Sequence, residues 1–131
     1  MTLDLTWEGD LRFSGTSAGT SILMDSAGKA GPSPIQALAF ALAGCMAMDV
    51  VHILTKGHAV IDSMHVELSG RRAGDHPLRF VAIEARFRVR GDMTADKVER
   101  AIALSREKYC SVWHSMRADI ELTTTFDVAP R

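Results

Sequence analysis

Cysteine is scarce in this chain: Cys45 and Cys110 are the only two in 131 residues. Two thiols do not make a disulfide scaffold. In a chain expected to be cytoplasmic they point to redox or nucleophilic work, or to plain core packing. An excess of one charge is missing too. Lys and Arg number 15 against 16 Asp and Glu, a formal net charge of −1, so the basic footprint of a nucleic-acid binder is absent. The N-terminus lacks the basic start, apolar middle and small-residue cleavage site of a signal peptide. Gly28 and Gly31 sit in a loop without Walker spacing or a Gly-Lys-Ser/Thr ending, which excludes a phosphate cradle of that type. His52, His58, His65, His76 and His114 show no metal-ligand spacing joined to the cysteines. Neither a metal nor an organic cofactor is therefore expected.

What the chain does have is a long uncharged run beginning at Ser33-Pro34. Ser33 is a good N-cap, and Pro34 suits the first helical position, where its missing N–H costs nothing. Apolar residues recur at Ile35, Ala39, Leu42, Met46, Val50 and Ile53, the spacing of one helix face. The other faces are apolar or small as well, and a helix of that kind is buried. Residues 35–54 reach the ~20 residues that a membrane span needs. Gln36, Asp49, His52 and the many alanines and glycines argue instead for the core of a soluble domain. Cys45 lies inside this helix beside Gly44 and Ala47, whose small side chains leave room for an approaching group. Asp49, one turn further on, would oppose ionisation of Cys45 if it pointed the same way. Lys56 and Gly57 form the C-terminal stop.

Elsewhere the chain alternates. Leu3, Leu5 and Trp7 mark a half-buried strand, Gly9-Asp10 a turn, and Leu11 and Phe13 the start of a second strand. Ile22-Leu23-Met24 is a short apolar run. Met64, Val66 and Leu68, then Val81, Ile83, Ala85, Phe87 and Val89, form a hairpin with one dry face, and Arg86, Arg88 and Arg90 lie on its wet one. Thr94 caps a second helix with Val98, Ile102, Ser105 and Tyr109 as its inner stripe. Cys110 arrives at or just past its end, and a last strand carries Ile120, Leu122, Thr124, Phe126 and Val128. The order β-β-β-α-β-β-α-β predicts a single α+β domain over residues 1–131 with a largely antiparallel sheet. Any side of the central helix left dry by that sheet needs the second helix or another subunit over it.

Several stretches together resemble the OsmC/Ohr family of thiol peroxidases. They are Ser33-Pro34, the apolar run to Ala43-Gly44-Cys45, Met48-Asp49-Val50-Val51, and Glu107-Lys108-Tyr109-Cys110-Ser111-Val112. The openings Trp7-Glu8-Gly9, Leu11-Arg12-Phe13 and Ile22-Leu23-Met24-Asp25 are similar as well, so the resemblance spans essentially the whole chain. It implies an OsmC-like fold: antiparallel sheets wrapped around a long buried central helix, in an intertwined homodimer with its active sites at the subunit interface. It also implies catalytic roles for the two thiols. Cys45 would attack an organic hydroperoxide and become a sulfenic acid, Cys110 would resolve it to a disulfide, and a dithiol reductant, lipoyl-linked among the candidates, would reset the pair. Met46, Met48, Phe40 and Trp113 are candidates for an apolar pocket, with core packing as the plainer role for each.

The pattern departs from the family at the group that activates the thiol. Peroxidase members place a carboxylate one or two residues after the helix-opening proline and pair an N-terminal arginine with it. Here those positions are Ile35 and Gln36, and the arginine on offer is Arg12. The alternative reading is therefore a non-catalytic dimeric protein that binds a small apolar ligand at the subunit interface. A Cys–His nucleophile formed by Cys110 and His114 is a further option, without a third group to orient it.

Overall fold

The computed structural model describes residues 1–131, and the chain forms two compact units, Met1–Phe40 and Ala41–Arg131. The first is a meander of β1 (Asp4–Trp7), β2 (Arg12–Ser17) and β3 (Thr20–Asp25), all antiparallel. Gly9 and Asp10 both take positive φ in the first turn, as that sequence signal implies. The second turn is Ala18-Gly19, again with both residues at positive φ, the geometry that matches the twist of a two-residue hairpin. The Gly/Ser/Thr-rich stretch Ser14 to Thr20 thus supplies the end of β2, its turn and the start of β3. β3 ends at Asp25, whose carboxylate accepts the Ala27 and Ala30 N–H groups and the Arg12 guanidinium. The Ala30 and Ala27 bonds lead in holding its carboxyl down at about pH 2; Arg12 adds to them, and burial opposes them.

Helix α1 (Pro34–Lys56) begins in the first unit and runs into the second. Ser33 caps it, with its hydroxyl accepting the Gln36 N–H, while the Gln36 side chain accepts the Ser33 N–H at 2.9 Å. This reciprocal pair is a capping box. Gln36 thus has a structural job at one of the two positions where the resemblance implies a carboxylate. Leu42, Met46, Val50 and Leu54, spaced four apart, form the buried ridge of the helix. Phe40 and Met48 are exposed at 71% and 73%, so within one chain the helix is covered along one side and not all round.

In the second unit, β4 (Val60–Arg72) and β5 (Phe80–Asp92) pair antiparallel, and β6 (Glu121–Ala129) lies on the other edge of β5. β5 alternates as its sequence indicates: Ile83, Ala85, Phe87 and Val89 are buried, and Glu84, Arg86, Arg88 and Arg90 face water. β6 runs parallel to β5, the one parallel pair in a largely antiparallel arrangement. A parallel pair needs a crossover, and the helical segment between the two strands supplies it. That segment is α2 (Ala95–Leu104), a π-helical turn (Ser105–Tyr109) and α3 (Ser111–His114). Thr94 caps α2 by accepting the Lys97 N–H. The wider π turn shifts the helical phase, so Ser105 stays buried while Tyr109, expected on the inner stripe, is half exposed.

Candidate functional site

The π turn delivers Cys110. The Cys110 N–H donates to the Ser105 carbonyl at 2.8 Å, closing the wide turn, and the backbone then becomes extended. The Cys110 sulfur in turn accepts the Trp113 N–H at 3.3 Å and starts α3. On α1, Cys45 and Asp49 stand four residues apart and so project from the same side of the helix. The Cys45 and Cys110 sulfurs and an Asp49 carboxylate oxygen all lie within 4.8 Å of one another. Both cysteines are free thiols. Asp49 accepts the buried Ser105 hydroxyl at 2.8 Å, and the Ser111 hydroxyl lies 3.8 Å from the Cys45 sulfur.

The two thiols are driven apart in acidity. For Cys45, burial opposes ionisation. The Val112 N–H, the Cys110 thiol and the Ser111 hydroxyl outweigh it together with the opposing charge of Asp49, so Cys45 ionises below an ordinary thiol. For Cys110, complete burial is the main cause of a shift up to about 11. The neighbouring Cys45 and Asp49 add to it, and the Trp113 N–H only partly offsets it. Of the two, Cys110 is held as the thiol and Cys45 is the one that ionises first. The activating groups come from the turn that carries the partner cysteine, which the sequence around Cys45 alone does not show. Ser111→Ala is expected to raise the Cys45 pKa and Asp49→Asn to lower it. The pH dependence of Cys45 alkylation, mapped by mass spectrometry, reads both directions, and shifts of the same sign would contradict this electrostatic picture.

Other expected site residues are placed differently. Met46 belongs to the buried ridge, and Phe40 and Met48 point away from the core, so these side chains do not converge on a pocket within the chain. A cavity of about 450 Å³ instead adjoins Asp49, bordered by His52, Ile53, Lys56, Leu104 and Tyr109. The His114 ring is engaged with the Arg106 carbonyl at 2.9 Å and is not in the thiol cluster. Arg12 is bound to Asp25 in the first unit. At Gly44 an added Cβ would meet no atom within 4 Å, so the helix surface next to Cys45 is open. Sequence reasoning missed Ser105 and Ser111 as site residues. In sequence Ser111 is marked only by its adjacency to Cys110, and Ser105 sits at a position that the helical repeat assigns to the core.

These features define an α+β domain that presents an asymmetric thiol pair at the junction of a long helix and a short capped turn. The chain belongs to the OsmC family: the OsmC-like protein family model matches residues 26–125. Protein YhfA of Escherichia coli K12 is 39% identical over 125 residues, 93% of each chain. Among solved structures, a hypothetical protein from Aquifex aeolicus VF5 superposes with a TM-score of 0.92 at 25% identity, covering 99% of this chain and 96% of that one. The organic hydroperoxide resistance protein OhrB of Bacillus subtilis shares the fold, with a TM-score of 0.62 at 19% identity over 97% of this chain and 98% of its own.

Proposed function

We propose that this protein is a thiol peroxidase that reduces organic hydroperoxides through Cys45 and Cys110. The observation that carries the reading is the pair itself: two sulfurs within 4.8 Å, one favoured as thiolate and the other held as thiol. In the first step the Cys45 thiolate attacks the terminal peroxide oxygen, the O–O bond breaks, and the departing alkoxide takes a proton. The products are a Cys45 sulfenic acid and an alcohol. Cys110 then attacks the sulfenic sulfur as its proton leaves with the hydroxyl, giving a disulfide and water. A disulfide needs sulfurs at about 2.05 Å, so the turn between Ser105 and Ser111 must move by less than about 3 Å to close it. A dithiol, with a lipoyl-linked one as first candidate, returns both sulfurs to thiols by exchange and is itself oxidised to a disulfide.

The Val112 N–H and the Ser111 hydroxyl take the place of the arginine–carboxylate pair, which Ile35 and Gln36 cannot form here. A homodimer in the cytoplasm completes the reading. Phe40, Met48 and Val51 leave much of α1 uncovered, and Leu3, Leu5 and Trp7 leave β1 exposed. A second copy of the chain would bury such surfaces. Steady-state consumption of cumene hydroperoxide with dihydrolipoamide as reductant, set against hydrogen peroxide, tests the proposal. Turnover of the organic peroxide supports it. No consumption of either peroxide above the protein-free rate would leave a binding protein built on this fold.

A further inference from the structure

The thiol cluster has the composition of a metal site as well as that of a redox pair. Its three donors come from two elements, Cys45 and Asp49 from α1 and Cys110 from the end of the π turn. A tetrahedral zinc ion with Zn–S bonds of about 2.3 Å holds two thiolates about 3.8 Å apart, with a carboxylate oxygen bound at about 2.0–2.2 Å. Donor atoms already within 4.8 Å of one another need only contract around the ion. Two sulfurs and one oxygen favour a thiophilic ion such as Zn²⁺ over Mg²⁺, Ca²⁺ or Mn²⁺. The Ser105 hydroxyl, bonded to Asp49 at 2.8 Å, fixes one carboxylate oxygen and orients the group, as supporting hydrogen bonds do around metal ligands. The open helix surface at Gly44 and the cavity beside Asp49 leave space for a fourth ligand from solvent. Histidine spacing gave no hint of this set, because none of its members is a histidine and the fold alone brings Cys110 to α1.

We propose that the reduced protein binds one Zn²⁺ per chain through Cys45, Cys110 and Asp49, and that the Cys45–Cys110 disulfide and the ion exclude each other. On binding, each protonated thiol loses its proton to solvent and both sulfurs become ligands. When an organic hydroperoxide, the oxidant of the proposed function, oxidises the pair, the two sulfurs bond to each other, the peroxide takes up two protons and leaves as alcohol and water, and the ion is released. Zinc would then occupy the nucleophile and hold the pair inactive until the ion is withdrawn.

The test is a competition titration of untagged, reduced protein with Zn²⁺ and a chromophoric zinc indicator, with native mass spectrometry for stoichiometry. One ion per chain is expected. Cys45→Ser and Cys110→Ser should each abolish binding, and Asp49→Asn, which keeps the side-chain shape and its bond to Ser105, should weaken it by at least about tenfold. Protein oxidised to the disulfide should bind none. No zinc bound by the folded, reduced wild type would overturn the proposal, as would affinity unchanged in the cysteine variants or in Asp49→Asn. Circular dichroism of each variant separates lost binding from lost folding. The titration needs no peroxide turnover, so failure of the peroxidase reading would leave its outcome untouched.

Discussion

Cys45→Ser is expected to lower cumene hydroperoxide consumption by more than about a thousandfold, because removing an attacking nucleophile leaves only binding and polarisation. Cys110→Ser is expected to behave differently. The first oxidation survives, since a serine hydroxyl at 110 can still donate to the Cys45 sulfur, but no disulfide can form. One equivalent of peroxide is consumed, and excess peroxide drives Cys45 on to the sulfinic acid, the irreversible rung of the ladder. Peroxide assays and intact mass together report the contrast. Equal loss in both variants at the first equivalent would contradict the division of labour that the burial of Cys110 and the bonds to Cys45 impose.

Phe87→Ala is expected to destabilise the protein by about 3–5 kcal/mol, the range for removing a fully buried aromatic ring. Phe87 is completely buried at the centre of β5, opposite Val66 of β4 and Phe126 of β6, so its ring sits where all three strands of the second sheet meet. Against a total of about 5–15 kcal/mol, that loss brings the native state close to its limit. Urea unfolding at one fixed protein concentration measures it, since an associating protein gains stability with concentration. A loss below about 1 kcal/mol would mean that β5 is not the core of its sheet.

Much of this fold can be read from the residues because local and tertiary preferences agree. The alternation from Val81 to Arg90 determines both faces of β5. Ser33, Pro34, Lys56 and Gly57 bound α1, and Thr94 starts α2. The reading fails where a long-range demand overrides a local pattern. β6 looks like any half-buried strand, and its parallel direction follows from the crossover before it. Tyr109 continues the stripe of Val98 and Ile102 on paper, but the π turn rotates it out to bring Cys110 in. The sides of α1 beyond the sheet call for cover from the second helix or another subunit, and a single chain buries only the ridge of Leu42, Met46, Val50 and Leu54.

The site was legible only by halves. Cys45 and Cys110 stand out as the chain's two thiols, and Asp49, one helical turn from Cys45, opposes its ionisation if it points the same way, as it does. What activates Cys45 is not visible in the sequence, because the positions expected to do so are Ile35 and Gln36, in the first turn of α1, and Arg12, on β2. Gln36 is engaged in the capping box and Arg12 in the Asp25 pair. The groups that lower the Cys45 pKa lie 65 to 67 residues downstream, at Cys110, Ser111 and Val112, and no local pattern joins them to it.

The most direct measurement is the intact mass of reduced, metal-free protein after one equivalent of cumene hydroperoxide, followed by peptide mapping. The expected result is rapid loss of two hydrogens, mapped to a bridge between Cys45 and Cys110. Thiols unchanged after minutes would contradict the central claim that the turn carrying Cys110 activates Cys45.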